Sequence, residues 1–219
     1  MTAFNIEQAR FNMIEQQIRP WEVLDQRVLD TLTRVPREDF VPERYRNLAF
    51  SDVAIPLGHG ELMLKPTIEG RILQALSLQP TDQVLEVGTG GGYLTACLTQ
   101  LARHVSSVDI ISDFTEATRH KLKAHKIANV MLHTGDASHG WGEHRYNAIV
   151  VTGSVATVDA IWRLSLSLGG RLFIVMGQPP VMEALLITRV GQQEWTQESL
   201  FETELSPLRG AAPVKVFEF

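Results

Sequence analysis

Cysteine is almost missing from this chain: Cys97 is the only one in 219 residues. No internal disulfide can form, and its place among Leu94, Leu98 and Leu101 at helical spacing reads as a small buried thiol rather than a reactive one. No run of 18 apolar residues exists, so no membrane-spanning helix is expected. The first twenty residues carry Glu7, Arg10, Glu15 and Arg19 and lack the apolar core of a leader peptide. Clusters of more than two basic residues are also missing. With 20 Lys and Arg against 25 Asp and Glu and a net charge of −5, a surface that tracks nucleic-acid phosphates is not expected. The 7 histidines include no pair four apart with an acid between them, so no metal site is read. These absences point to a cytoplasmic protein with no nucleic-acid or membrane partner; a monomer or weak homo-oligomer is the expectation, though none of these absences bears on it. No repeat or low-complexity tract is visible.

What is present is an apolar content of 44%, ample for one continuous core, and one dense motif. In QVLEVGTGGGYLTACLTQL, residues 83–101, a short apolar run ends in Glu86-Val87. Gly88, Gly90, Gly91 and Gly92 follow within five positions. Leu94, Cys97, Leu98 and Leu101 then recur at helical spacing, giving strand, glycine turn, helix. Glycines allow backbone dihedrals closed to other residues and let a ligand approach the main chain. A helix opening there directs free N–H groups into the turn. A P-loop needs Lys then Ser or Thr after its last glycine, where this chain has Tyr93-Leu94, and the dinucleotide fingerprint needs a glycine at Tyr93. What remains, Glu86-x-Gly88-x-Gly90-x-Gly92, resembles the first motif of class I S-adenosylmethionine-dependent methyltransferases. The acid suits a ligand with a sulfonium and an amino group beside a carboxylate that can accept backbone N–H bonds.

Taken in order, Phe11, Ile14 and Ile18 predict a helix ended by Pro20. Asp25 caps a second, with Val28, Leu29, Leu32 and Val35 on one face and Pro36 closing it. After Pro66, Ile68, Ile72, Leu73 and Leu76 mark a third helix, with Glu69 and Arg71 on its wetter side. Val105 to Asp109 is a second strand ending in an acid about 20 residues beyond the glycines, the spacing at which a carboxylate meets ribose hydroxyls; Asp109 reads as that ligand, or as the cap of a helix starting near Asp113. Val130 to Leu132 is a third strand leading to Gly135-Asp136, a turn whose acid could accept from an exocyclic amine beside the Ala137 N–H. Trp141 covers the site or packs. Ala148 to Thr152 suits a strand buried on both faces. Ile161, Leu164 and Leu168 predict a helix ended by Gly169-Gly170, and Leu172 to Met176 a fifth strand. Ala184 to Val190 and Ser199 to Phe219 read as an antiparallel edge pair.

A longer resemblance runs through Val35, Pro36, Arg37, Glu38, Phe40, Val41 and Pro42, then Asp52, Pro56, Leu57, Gly58, Gly60 and Pro66. It is similar to the protein-L-isoaspartate O-methyltransferases, which show V-P-R-E-x-F-V-P and then P-[IL]-G-x-G-Q-T-I-S-x-P. Gly135-Asp136, Trp141 and Ser206-Pro207-Leu208 match further family segments. One departure stands out: Leu62-Met63-Leu64-Lys65-Pro66 places Leu64 where the family carries its active-site serine, and no rotamer of Leu can hydrogen-bond a substrate.

The resemblance implies a doubly wound, mostly parallel α/β sheet of the class I methyltransferase kind. It has an antiparallel C-terminal edge and an N-terminal helical appendage. Residues 1–80 would form the acceptor-facing segment packed on a cofactor-binding domain over 81–219. S-adenosyl-L-methionine, leaving as S-adenosyl-L-homocysteine, would be held by Glu86, Gly88, Thr89, Gly90 and Gly92 of the turn, by Asp109 and Ile110, by Asp136 and Ala137, and by Thr152. Isoaspartyl residues of damaged proteins would meet Asp52, Gly58, His59, Gly60, Leu64, Pro66 and Ser154, with His59 and Lys65 as acceptor contacts. A carboxylate acceptor is already ionised at neutral pH and needs no general base. Leu64 leaves three readings of the acceptor side: Lys65 or a backbone group compensates, the acceptor is a small-molecule carboxylate, or the chain binds cofactor without turnover.

Overall fold

Residue patterning becomes a layered structure in the computed structural model, which describes residues 5–211. Asn5 caps α1, Ile6–Met13, by accepting from the Gln8 N–H. The helix does not end at Pro20. It continues as a π-helical stretch, Ile14–Ile18, and a 3₁₀ turn, Arg19–Trp21, that contains the proline. A proline is tolerated where a new helical turn opens, because its missing N–H has no partner to lose. Asp25 caps α2, Gln26–Arg34, whose Val28, Leu29 and Leu32 are buried as their spacing requires.

A hairpin not anticipated from the sequence follows, β1, Ile55–Gly58, against β2, Glu61–Met63. It turns through Gly58, His59 and Gly60, all at positive φ. Pro66 opens α3, Pro66–Leu76. A Cβ on Gly70 would lie 3.1 Å from Ile18 Cγ2, so glycine permits the close crossing of α3 with the π-helical stretch.

The main unit alternates β3, Gln83–Val87; α4, Tyr93–Leu101; β4, His104–Asp109; α5, Ser112–Ala124; β5, Val130–Thr134; β6, Tyr146–Val155; and α6, Ala160–Leu164. It ends in β7, Leu166–Gln178, β8, Val181–Arg189, and β9, Trp195–Glu202. The 7-stranded sheet has the order β5-β4-β3-β6-β7-β8-β9. β5, β4, β3, β6 and β7 run parallel, and β8 and β9 close it antiparallel. The chain winds outward from β3 through β4 and β5 and then returns to β6 on the other side. The switch point therefore lies between β3 and β6, where open α/β sheets bind ligands beyond their strand ends.

Strand side chains alternate between two cores, as a period of two demands. Val84, Val105, Val150 and Phe173 point into the core shared with Met13, Ile18, Leu29 and Leu32 of the N-terminal segment. Leu85, Val87, Ile149 and Val151 point to the other face, with Trp162. Both faces being covered is why Ala148–Thr152 shows no polar alternation.

Three expectations about elements are corrected. α6 stops at Leu164, and Leu168, Gly169 and Gly170 belong to β7. They sit in a register shift against β6, where a Cβ on Gly170 would come within 2.9 Å of the Tyr146 carbonyl oxygen; the glycines serve a bulge, not a helix end. The last strand starts at Trp195 and stops at Glu202; being mostly exposed, it lacks the alternation that reveals a half-buried strand. Its expected continuation over 212–219 lies outside the described residues. Glu69 is not on a wet face: it is 2% exposed and salt-bridged at 2.7 Å to Arg37, itself fully buried.

Candidate functional site

Glu86 sits on the central strand with no exposed surface. Its neighbour in register on β4 is Ser107, whose hydroxyl reaches Glu86 Oε2 at 2.6 Å, while Thr95 Oγ1 from α4 reaches the same oxygen at 2.5 Å. Thr89 Oγ1 stands 2.6 Å from Ser107 Oγ. Because Ser107 gives its one proton to Glu86, Thr89 donates to Ser107. Glu86 Oε1 is left buried without a partner. Burial pushes this carboxyl up to about 8, against the pull of the Ser107 and Thr95 hydroxyls. A buried acceptor with nothing to accept from marks a place for a donor from outside the chain.

The turn wraps around that oxygen. Gly88, Gly90 and Gly92 have φ of 96°, 50° and 84°, in the region open to glycine. Two of them are required by protein contacts as well: a Cβ on Gly88 would fall 2.0 Å from Thr152 Oγ1, and one on Gly92 2.6 Å from Thr118. The Thr152 hydroxyl itself donates to the carbonyls of Val87 and Gly88. Lys121 Nζ grips the Gly91 carbonyl at 3.1 Å and the Phe40 carbonyl at 2.8 Å, tying the turn to the N-terminal segment. We predict that Gly88→Ala, combining overpacking with a disfavoured φ, costs about 2–4 kcal/mol. Thermal denaturation should show a melting point lower by about 5–15 °C, with no rise on adding cofactor.

Asp109, at the end of β4, is 7% exposed. Its two oxygens accept from Gly90 N and Ile111 N, both at 2.9 Å. Burial raises its pKa, those N–H bonds opposing. Each oxygen keeps a lone pair for a hydroxyl donor. Ile110 beside it leaves 43% of its surface exposed on the cavity wall. Asp136, after β5, accepts from Ser138 N at 2.9 Å, which holds its carboxyl below the usual range. The helix starting at Ser112 is not capped by Asp109. Trp141 packs, with its ring edge within 2.9 Å of where a Gly135 Cβ would be.

Gly88, Gly90, Asp109, Ile110, Asp136, Ala137 and Thr152 line one open cleft of about 1010 Å³, part of it continuous with solvent. It shares residues including Gly88, Gly90 and Thr152 with a smaller recess lined also by Glu86, Thr89 and Gly92. All ten residues expected to hold a cofactor thus meet at the switch point.

The acceptor-side expectations fare differently. Leu64 and Lys65 line the cleft; Asp52, Gly58, His59, Gly60, Pro66 and Ser154 do not. Asp52 Oδ1 accepts from Thr67 Oγ1 at 2.7 Å and Thr67 N at 3.3 Å, securing the start of α3. His59 turns outward to pair with Asp113 at 2.9 Å, its ring edge-on to Phe114. Ser154 fastens the C-terminal segment: its N–H donates to the Ser206 carbonyl, its hydroxyl to that of Leu205, and its own carbonyl accepts from Leu208 N. Pro66 is buried as the first residue of α3.

Leu57 and Leu62 of the hairpin, within the segment expected to face the acceptor, do line the cleft, and Leu205 to Arg209 of the C-terminal segment, where the sequence offered only the match at Ser206-Pro207-Leu208, line it too. Arg209 joins these two walls, pairing with Glu61 at 2.6 Å and donating to the His59 carbonyl. Beneath them Arg37 bonds the Leu64 carbonyl at 2.7 Å, the Ala49 carbonyl at 2.9 Å and Glu69 at 2.7 Å, with its guanidinium 4.9 Å from the Tyr93 ring centre.

The family model for protein-L-isoaspartate(D-aspartate) O-methyltransferases matches residues 8–211. A protein-L-isoaspartate O-methyltransferase of Rhodopseudomonas palustris is 36% identical over 201 residues, spanning 91% of this chain and 92% of its own. A protein-L-isoaspartate O-methyltransferase 2 of Pelobacter propionicus is 35% identical over 94% of this chain and 93% of its own. Among solved structures, a Plasmodium falciparum chain in complex with S-adenosyl-L-homocysteine superposes with a TM-score of 0.79 at 20% identity, over 94% of this chain and 99% of that one. The fold, the glycine turn with its partnerless buried acid and the extent of these matches lead to one statement: the chain belongs to the protein-L-isoaspartate(D-aspartate) O-methyltransferase family.

Proposed function

We propose that this chain methylates the free α-carboxylate of isoaspartyl residues in proteins, using S-adenosyl-L-methionine. The observation that carries this reading is Glu86 Oε1, buried and partnerless beside three positive-φ glycines. That oxygen fits the donor's ammonium, the remaining lone pairs of Asp109 fit a ribose diol, and Ile110, Asp136 and Ala137 fit an aminopurine. The donor, when bound, supplies an electrophilic methyl group on a sulfonium.

The chain's own task is alignment and exclusion of water. The glycine turn and the ends of β4 and β5 hold one reactant, while the hairpin and residues 205–209 wall the place of the other. No residue has to take a proton, because a carboxylate of pKa about 4 is ionised at neutral pH. In keeping with that, His59 lies outside the cleft and pairs with Asp113. We place the protein in the cytoplasm as a monomer or weak homo-oligomer, with no nucleic-acid or membrane partner. Among the described residues no helix is long and apolar enough to cross a membrane.

Leu57, Leu62 and Leu64 give the acceptor side an apolar wall, which favours a second reading, a small carboxylic acid as acceptor. Incubation with methyl-labelled donor and paired peptides, one isoaspartyl and one aspartyl, separates the two. Label entering only the isoaspartyl peptide, as an ester lost in mild alkali, is the expected result. Label entering small carboxylic acids alone supports the second reading, and cofactor binding without any incorporation contradicts both.

A further inference from the structure

Charge around the cleft is unevenly committed. On the acidic side stand Glu61, Asp109, Asp136 and Glu204. Glu61 is paired with Arg209, and Asp109 and Asp136 accept backbone N–H groups. On the basic side, Arg209 is engaged by Glu61 and the His59 carbonyl. Arg37, below the floor, makes three bonds and is fully buried. Of the two cations that line the cleft among the described residues, Lys65 is the one whose ammonium has neither hydrogen bond nor ion pair.

Its backbone is fixed on both sides. The preceding carbonyl, of Leu64, is held by Arg37, and Thr67 is held by Asp52. The Lys65 carbonyl itself accepts from Glu69 N at 3.1 Å. The backbone is therefore firmly held, and the exposed side chain lines the cleft. Leu62, Leu64 and Leu205 line the same cleft, and apolar walls strengthen an ion pair by lowering the local dielectric.

We propose that Lys65 is the specificity residue for the acceptor, its ammonium pairing with one oxygen of the acceptor carboxylate while the other oxygen remains the nucleophile. This rests on the methyl-transfer reading above. It assigns recognition of the acceptor's charge to a flexible cation next to Leu64, in a cleft whose other unpaired charge is acidic. A peptide amide, neutral at the same position, gains nothing from it.

The test uses the full chain saturated with S-adenosyl-L-homocysteine and a fluorescent isoaspartyl peptide. Lys65→Gln and Lys65→Ala are expected to weaken peptide binding about tenfold, the size of one charge-assisted hydrogen bond. Lys65→Arg should stay within about threefold. The wild-type affinity should fall as salt rises, and the Gln and Ala variants should lose that slope. In turnover the loss should fall on KM rather than kcat. Calorimetry of S-adenosyl-L-homocysteine alone should give the same affinity for all four proteins, showing that the cofactor side is intact. Wild-type binding with Gln and Ala variants that match it in affinity and salt slope overturns the role of Lys65 alone. A wild-type chain that neither binds nor methylates the isoaspartyl peptide overturns the functional reading and this inference with it.

Discussion

Glu86→Gln is expected to bind S-adenosyl-L-homocysteine some ten- to a hundredfold more weakly than the wild type, the equivalent of about 1.5–3 kcal/mol for a charge-assisted bond. The fold should survive, because Thr95 and Ser107 are hydroxyls that can rotate to suit an amide. The pH dependence identifies the cause. Burial raises Glu86 from 4.5 to about 8, so at neutral pH the free protein holds this carboxyl mostly protonated. An ammonium at Oε1 favours the ionised form, so binding should release a proton, and affinity should climb with pH until about 8 and then level off. The Gln variant should show no such climb.

Stability runs the other way. A carboxyl whose folded pKa lies above its unfolded one contributes stability that is complete below 4.5 and is lost as pH rises through about 8. Above pH 8 the ligand-free Gln variant should therefore be the more stable of the two. Higher stability with weaker cofactor binding is the signature of an acid kept in place for its ligand. Denaturant titrations at pH 6 and pH 9, paired with calorimetry, measure both.

Arg37→Ala should have the largest effect on stability. The guanidinium satisfies Glu69 and the carbonyls of Leu64 and Ala49, all at 2.7–2.9 Å, and is fully buried. Its removal strands three acceptors and empties space beside Tyr93. Breaking one side of a buried ion pair costs about 3–5 kcal/mol, which for a chain of this size lowers the melting point by about 10–15 °C. Glu69→Gln should be milder, since an amide oxygen can still accept from the guanidinium and Arg37 keeps its bonds to the Leu64 and Ala49 carbonyls. Replacing both, as Arg37→Met with Glu69→Leu, should recover much of the loss, because an apolar pair of similar volume carries no desolvation cost. The two backbone carbonyls would remain without donors, so recovery should be incomplete. The Arg37 variant should also raise KM for the acceptor, its contact with the Leu64 carbonyl being gone.

That the residues expected to hold a cofactor gather at one place was legible in the sequence for a physical reason. Glu86, Gly88, Gly90 and Gly92 fall within seven positions, Asp109 and Asp136 sit at or just beyond the ends of β4 and β5, and Thr152 lies in the C-terminal half of β6. Topology alone then brings them to one edge. For the other walls the sequence indicated the segment but not which of its residues face the cleft, because these are set by long-range contacts. The hairpin over 55–63 is held by His59 on Asp113 and by Glu61 on Arg209, partners 54 and 148 residues away. Residues 205–208 are held against the cleft by backbone bonds to Ser154, 51 or more residues earlier. Asp52 looked like an acceptor wall, yet its oxygen is spent on Thr67. Glu69 looked solvated because helical periodicity reports apolar neighbours and says nothing of a buried arginine 32 positions earlier. Likewise Gly169-Gly170 resembled a helix stop, since a bulge and a helix end ask the same conformational freedom of glycine.

The most direct measurement is a crystal structure of the chain soaked with S-adenosyl-L-homocysteine. The account predicts density for the product along the Gly88–Gly92 turn, with its amino group against Glu86 Oε1 and its ribose at Asp109. Density elsewhere, or a cleft filled by Leu57 and Leu62 at saturating ligand, would contradict it.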